Sequence, residues 1–121
     1  MTYTFEIESE LPDLNTYILA ERSNRYSAAN LKKNATRTCH YSCIQLKGKV
    51  PMDLIFDIVI TWHLPNKKKD PDNVAFGIKF IHDGLVSAKV LSNDGANNIN
   101  SISHRFVYGE KYHVTVELIE K

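Results

Sequence analysis

The sequence predicts an α+β domain with helices packed on a mixed β-sheet. Three observations carry this expectation. Segments that alternate apolar and polar residues lie towards both ends of the chain, a nearly continuous β-branched and aromatic run lies near its middle, and two stretches with helically spaced apolar residues lie between them. The 121 residues, 43% of them hydrophobic, suffice for one modest core, so residues 1–121 read as a single domain.

From Thr2 to Glu8, Tyr3, Phe5 and Ile7 alternate with Thr4 and Glu6, the pattern of a half-buried strand. Leu11-Pro12-Asp13 breaks it, and Asp13 is placed to cap a short helix through Tyr17, Ile18 and Ala20. From about Ala28 to about Leu46 there is no Gly or Pro, and Leu31, Ala35, Cys39, Cys43 and Leu46 mark the apolar side of a long helix. Pro51 ends that region. Leu54, Ile55, Phe56, Ile58, Val59, Ile60 and Trp62 then suit a central strand. Beyond the polar stretch Pro65 to Lys69, the spacing of Val74, Ile78, Ile81, Leu85 and Ala88 predicts another helix. Gly95 with Asn97, Asn98 and Asn100 marks a loop. Ile102 to Val107 and Tyr112 to Leu118 read as two strands, and the turn Tyr108-Gly109-Glu110-Lys111 predicts that they form an antiparallel hairpin.

The formal net charge is only +1, so total charge argues neither for nor against a nucleic-acid partner. No apolar run is long enough for a membrane span, and Met1 to Glu10 lacks the basic start and apolar stretch of a signal peptide, which predicts a soluble cytoplasmic protein. Cys39 and Cys43, four apart on the long helix, are expected to be reduced thiols. With His40 they supply only three local zinc ligands, too few for a closed four-ligand site.

Asp70-Pro71-Asp72-Asn73 stands where the central strand has ended and a helix begins. On those residues alone the segment reads as a cap: Asp70 at the N-cap, Pro71 at the first helical position, Asp72 facing the positive helix end. Lys79 and Asp83 follow Asp72 by seven and eleven residues, which places all three within about 20° of one helical stripe. As an i, i+4 neighbour, Asp83 also suits a plain salt bridge to Lys79. Two carboxylates held close repel unless protonated or bridged by a cation, and magnesium is satisfied by a few carboxylates plus water and phosphate oxygens. Such a site suits phosphodiester hydrolysis, with a Lys against the scissile phosphate or the attacking water. Asp94, in Leu91-Ser92-Asn93-Asp94-Gly95, is a candidate third carboxylate if its loop folds back, and a turn residue otherwise.

At these positions the chain resembles the RusA-like family of Holliday junction resolvases, dimeric metal-dependent endonucleases often carried by phages and prophages. Asp70-Pro71-Asp72-Asn73, Lys79, Asp83-Gly84-Leu85 and Asp94 are similar, in order, to that family's motifs, with a three-residue allowance in the helix to align Lys79. Leu11-Pro12-Asp13-Leu14-Asn15-Thr16-Tyr17 and Arg22-Ser23-Asn24-Arg25-Tyr26 resemble a subgroup common in phages of Gram-positive hosts, so the likeness spans nearly the whole chain. Asn93 stands where many relatives carry a second acid, Lys89 near a frequent Gly, and Ala96 where a Trp often follows. The resemblance implies Asp70, Asp72, Lys79 and Asp94 as catalytic residues, the three Asp residues as magnesium ligands with manganese as substitute, and a homodimer acting on branched DNA in a bacterial or phage-infected cell.

Between Glu21 and Lys49 there are seven basic residues, Arg22, Arg25, Lys32, Lys33, Arg37, Lys47 and Lys49, and Glu21 is the only acid. Such a surface suits a phosphate backbone, although a solvated helix face has the same composition. Arg22, Arg25, Lys32 and Lys33, together with Lys67, Lys68 and Lys69 just before Asp70, are the expected DNA-binding residues. Tyr17 and Tyr26 suit core packing, with base stacking as the alternative, and His63 reads as a strand-end histidine with its hydrogen bonds satisfied, with a place close to the site as the alternative. The competing functions are a nuclease for other branched DNA and a non-catalytic DNA-binding module.

Overall fold

The segment that fixes the architecture is β2 (Phe56–Leu64), in which Phe56, Ile58, Ile60, Trp62 and Leu64 are buried while Asp57, Val59, Thr61 and His63 alternate with them on the opposite face. A computed structural model describes residues 1–121. Around β2 it places β1 (Thr2–Ile7), α1 (Leu14–Ser23), α2 (Arg25–Cys43) with a 3-10 turn at Ile44–Leu46, α3 (Pro71–Ala75), α4 (Ile78–Ser87), β3 (Ile99–Tyr108) and β4 (His113–Glu120). The molecule is α+β, a four-stranded mixed sheet with helices packed on it, as the sequence predicts. No helix is long and apolar enough to cross a membrane.

The sheet order is β1-β4-β2-β3; β4 runs antiparallel to β1 and β2, and β3 runs parallel to β2. The expected β3–β4 hairpin is therefore absent, because β2 lies between the two strands. The turn after Tyr108 instead crosses the end of β2, where Gly109 N and Glu110 N donate to Leu64 O at 2.8 and 3.3 Å and Gly109 takes φ 97°. The physical reason is β2 itself: its buried apolar row is the strongest in the chain, and an interior position satisfies both its backbone edges. A polar glycine-containing turn has the same sequence whether it joins neighbours or steps over a strand.

The expected helix beyond Asp70 is divided. Its hydrogen bonds tighten to i→i+3 at the junction, with Gly77 N to Val74 O, Lys79 N to Phe76 O and Phe80 N to Gly77 O all at 3.1 Å. Trp62 causes the close approach there, since a Cβ on Gly77 would lie 2.9 Å from its Cη2. The buried side chains form one core of 23 residues that includes Trp62, Phe80, Ile81, Leu85, Cys39 and Cys43. Tyr17 packs on Phe76 and Phe80 with ring centroids 5.4 and 6.5 Å away, whereas Tyr26 is exposed beneath the Arg25 guanidinium.

Candidate active site

Asp70 occupies the N-cap position of α3 with extended backbone, yet its carboxylate makes no capping hydrogen bond; only its carbonyl is used, by Val74 N at 3.1 Å. Asp72 Oδ1 accepts from its neighbour Asn73 N at 2.9 Å. Both aspartates are exposed and neither is ion-paired. Asn73 serves position: its Oδ1 accepts from Asn15 N at 2.9 Å and ties the first turn of α1 to α3.

The loop that delivers Asp70 is anchored by Lys69, whose ammonium lies 2.7 Å from Glu10 and 2.8 Å from Asp13. Asp13 also caps α1 by accepting from Thr16 N at 2.7 Å. Burial alone would raise the Asp13 pKa, but the hydrogen bonds from Lys69 and Thr16 outweigh it and hold the carboxyl below its ordinary value. Lys69 was expected beside Lys67 and Lys68 on the DNA-facing side; its charge is neutralised by two carboxylates because it clamps β1–α1 to the loop after β2. Lys67 and Lys68 are exposed and without an acidic partner, Lys67 lying 5.3 Å above the Tyr108 ring.

Lys79 projects from the first turn of α4 and pairs with Asp83 at 3.1 Å, the i, i+4 bridge that the spacing allowed. An ion pair this exposed is worth at most about 1 kcal/mol, so little holds Lys79 from another anion. The break between α3 and α4 separates it from Asp72, so the two do not share one continuous helical stripe.

Asp94 lies on the loop between α4 and β3, whose base is pinned at the start of β2. There Ser92 Oγ and Asn98 Nδ2 both donate to Met52 O at 3.2 Å, and Phe56 N donates to Asn98 O at 2.9 Å. The loop returns to the flank of α4 at His82. Burial lowers the His82 pKa, opposed first by the Asp94 charge and then by that of Asp83; its Nε2 is buried without a hydrogen-bond partner. The chain thus places Asp70 and Asp72 at the α3 N-terminus, past the C-terminal end of β2, and anchors the Asp94 loop at the N-terminal end of that strand. The three carboxylates do not gather within 4.8 Å of one another. Loop closure of this kind has no signature in a single sequence.

A relationship the sequence did not reveal is that the basic side of α2 faces α4. Lys32, Lys33 and Arg37 line one wall of an open cleft of about 550 Å³, and Asp83 and Ser87 line the other. His40 Nδ1 and Ser87 Oγ span it at 2.8 Å. Lys32 also borders an adjoining hollow of about 370 Å³ that includes Tyr17, Phe76 and Lys79. Arg22 and Arg25 are exposed at the α1–α2 corner. Cys39 and Gly84 are the small residues at which the two helices meet closely, a pairing that only the fold shows. No family model matches this chain, and no curated protein matches it.

Proposed function

We propose that this chain is a magnesium-dependent, structure-selective endodeoxyribonuclease that works as a homodimer on four-way DNA junctions, as its likeness to the RusA-like resolvases implies. The observation that carries the reading is the state of Asp70 and Asp72. They are two exposed carboxylates at one helix start, without an ion pair, and Asp70 stands at a cap position without capping. An oxygen-only donor set of this kind fits a hard divalent cation, which accepts one or two carboxylates and completes its shell with water and phosphate.

In this reading Asp70 and Asp72 hold magnesium, with manganese as its substitute, and Asp94 supplies a third carboxylate when its loop closes on bound DNA. The metal supplies Lewis acidity and a water of lowered pKa. Lys79 exchanges Asp83 for the scissile phosphate and stabilises the charge that develops there. Lys67 and Lys68 beside Asp70, and Arg22, Arg25, Lys32 and Lys33 on the α1–α2 side, hold the flanking phosphates. Two such sites related by a twofold axis match the symmetry of a junction, and the setting is the cytoplasm of a bacterial or phage-infected cell.

A non-catalytic DNA-binding module is the second reading, favoured by the Lys79–Asp83 bridge and by the separation of Asp94 from the other acids. Chelation separates the two. Added EDTA stops strand cleavage but leaves junction binding in the first case, whereas in the second there is binding and no cleavage at any magnesium concentration.

A further inference from the structure

At the end of the sheet where the β3–β4 crossover turn passes, and on the face opposite the helices, His63 and His113 stand in register on β2 and β4. Their rings are stacked with centroids 3.8 Å apart and an interplanar angle of 6°. Glu110, in the turn, brings Oε2 to 2.7 Å from His63 Nδ1 and 4.0 Å from His113 Nε2.

The surrounding hydrogen bonds decide which ring nitrogens carry protons. His113 Nδ1 lies 2.8 Å from the Lys111 carbonyl, which can only accept, so Nδ1 donates and Nε2 of the neutral ring is a lone pair. His63 Nε2 lies 3.0 Å from Thr115 Oγ1, and that hydroxyl gives its proton to Glu6 at 2.9 Å. Thr115 is therefore the acceptor, His63 Nε2 the donor, and His63 Nδ1 a second lone pair. That nitrogen is buried and, despite its nearness to Glu110, takes part in no aligned hydrogen bond. Two nitrogen lone pairs and a carboxylate oxygen thus lie together, and the 2.7 Å approach of His63 Nδ1 to Glu110 calls for a proton or a cation to offset the repulsion.

We propose that His63 Nδ1, His113 Nε2 and Glu110 form a binding site for a first-row transition-metal dication, with zinc the best fit. The three donor atoms lie within 4.8 Å of one another; because the ring planes are nearly parallel, metal bonds of about 2.0–2.2 Å in the plane of each ring require the two imidazoles to turn out of their stack, with Glu110 on its exposed turn following. Each imidazole gives its other N–H to an oxygen, which fixes the tautomer that leaves a lone pair for a metal. Imidazole donors select zinc, copper or nickel over magnesium, so this site is chemically distinct from the aspartate pair. Two histidines and one glutamate leave a fourth position for water or an external ligand. A bound ion would pin the crossover turn to β2 and β4, adding to the bonds from Gly109 and Glu110 to Leu64 O.

The experiment is titration of the metal-stripped full chain with cobalt(II), read by visible d–d absorption, alongside the melting temperature in graded zinc. One cobalt per chain with a four- or five-coordinate spectrum, and a melting temperature that climbs with zinc, are expected. Glu110→Gln and His113→Gln should each weaken binding at least about 10-fold. Glu110→Gln alters an exposed turn and keeps the fold testable. Asp70→Asn with Asp72→Asn should leave cobalt binding unchanged, which separates this site from the proposed magnesium site. The proposal is overturned if the wild type binds neither ion saturably, if binding survives both ligand substitutions, or if the aspartate substitutions remove it.

Discussion

A Cβ added to Gly84 would stand 2.5 Å from the Cβ of Cys39 and 2.9 Å from its carbonyl carbon, so α4 rests on α2 almost backbone to backbone at this point. This contact brings Lys32, Lys33 and Arg37 to face Asp83 across the cleft. Gly84→Ala must force the helices apart or deform them, and overpacking of this kind costs about 1–3 kcal/mol. Urea unfolding should show the midpoint falling with an unchanged slope, together with weaker DNA binding. An unaltered midpoint would mean that the two helices can slide freely.

The same contact shields the thiols. Burial pushes the Cys39 thiol up to about 12 and the Cys43 thiol up to about 11, with the Cys43 and Asp83 charges adding to the effect at Cys39. Neither should react with a disulfide reagent at pH 8 in the native protein, and both should react once the chain is unfolded. Prompt native-state labelling would contradict the packing described.

Acid sensitivity should centre on Asp13. Its carboxyl has a depressed folded-state pKa, so its contribution is present above the ordinary carboxylate pKa of about 3.9 and is lost as pH falls below that value through the folded pKa. Asp57 behaves alike, held low by Ser101 and Asn100. Stability measured against pH should fall steeply below about pH 4 in the wild type. Asp13→Ala should flatten that fall and lower stability near neutrality by about 1–2 kcal/mol through loss of the α1 cap.

Asp70→Asn should be nearly neutral for stability, within about 0.5 kcal/mol, because the exposed side chain caps nothing. The same substitution should remove metal-dependent cleavage. A large fall in melting temperature would assign Asp70 a structural role instead.

The elements of the fold were legible because burial repeats with the period of each element: β2 shows its alternating row, α1 its Asp13 cap, α2 its apolar stripe. The pairing of β3 and β4 was not, since strand neighbours are chosen by competition for β2, which no turn sequence records. The Asp72–Lys79 alignment assumed one continuous helix, and the tightened junction at Gly77 arises from contact with Trp62, fifteen residues earlier in the chain. Asp70 and Asp72 stay near one another in any fold because only Pro71 separates them. Whether Asp94 joins them depends on a loop anchored at Met52, and the meeting of His63 with His113 depends on sheet register.

The central claim is tested most directly by incubating the purified chain with a synthetic four-way DNA junction in magnesium, beside Asp72→Asn. The wild type should make paired nicks that need magnesium, and the variant should bind the junction with undiminished affinity and leave it uncut. Tight binding by the wild type without any cleavage in magnesium or manganese would contradict the account and leave a DNA-binding module whose acids do no chemistry.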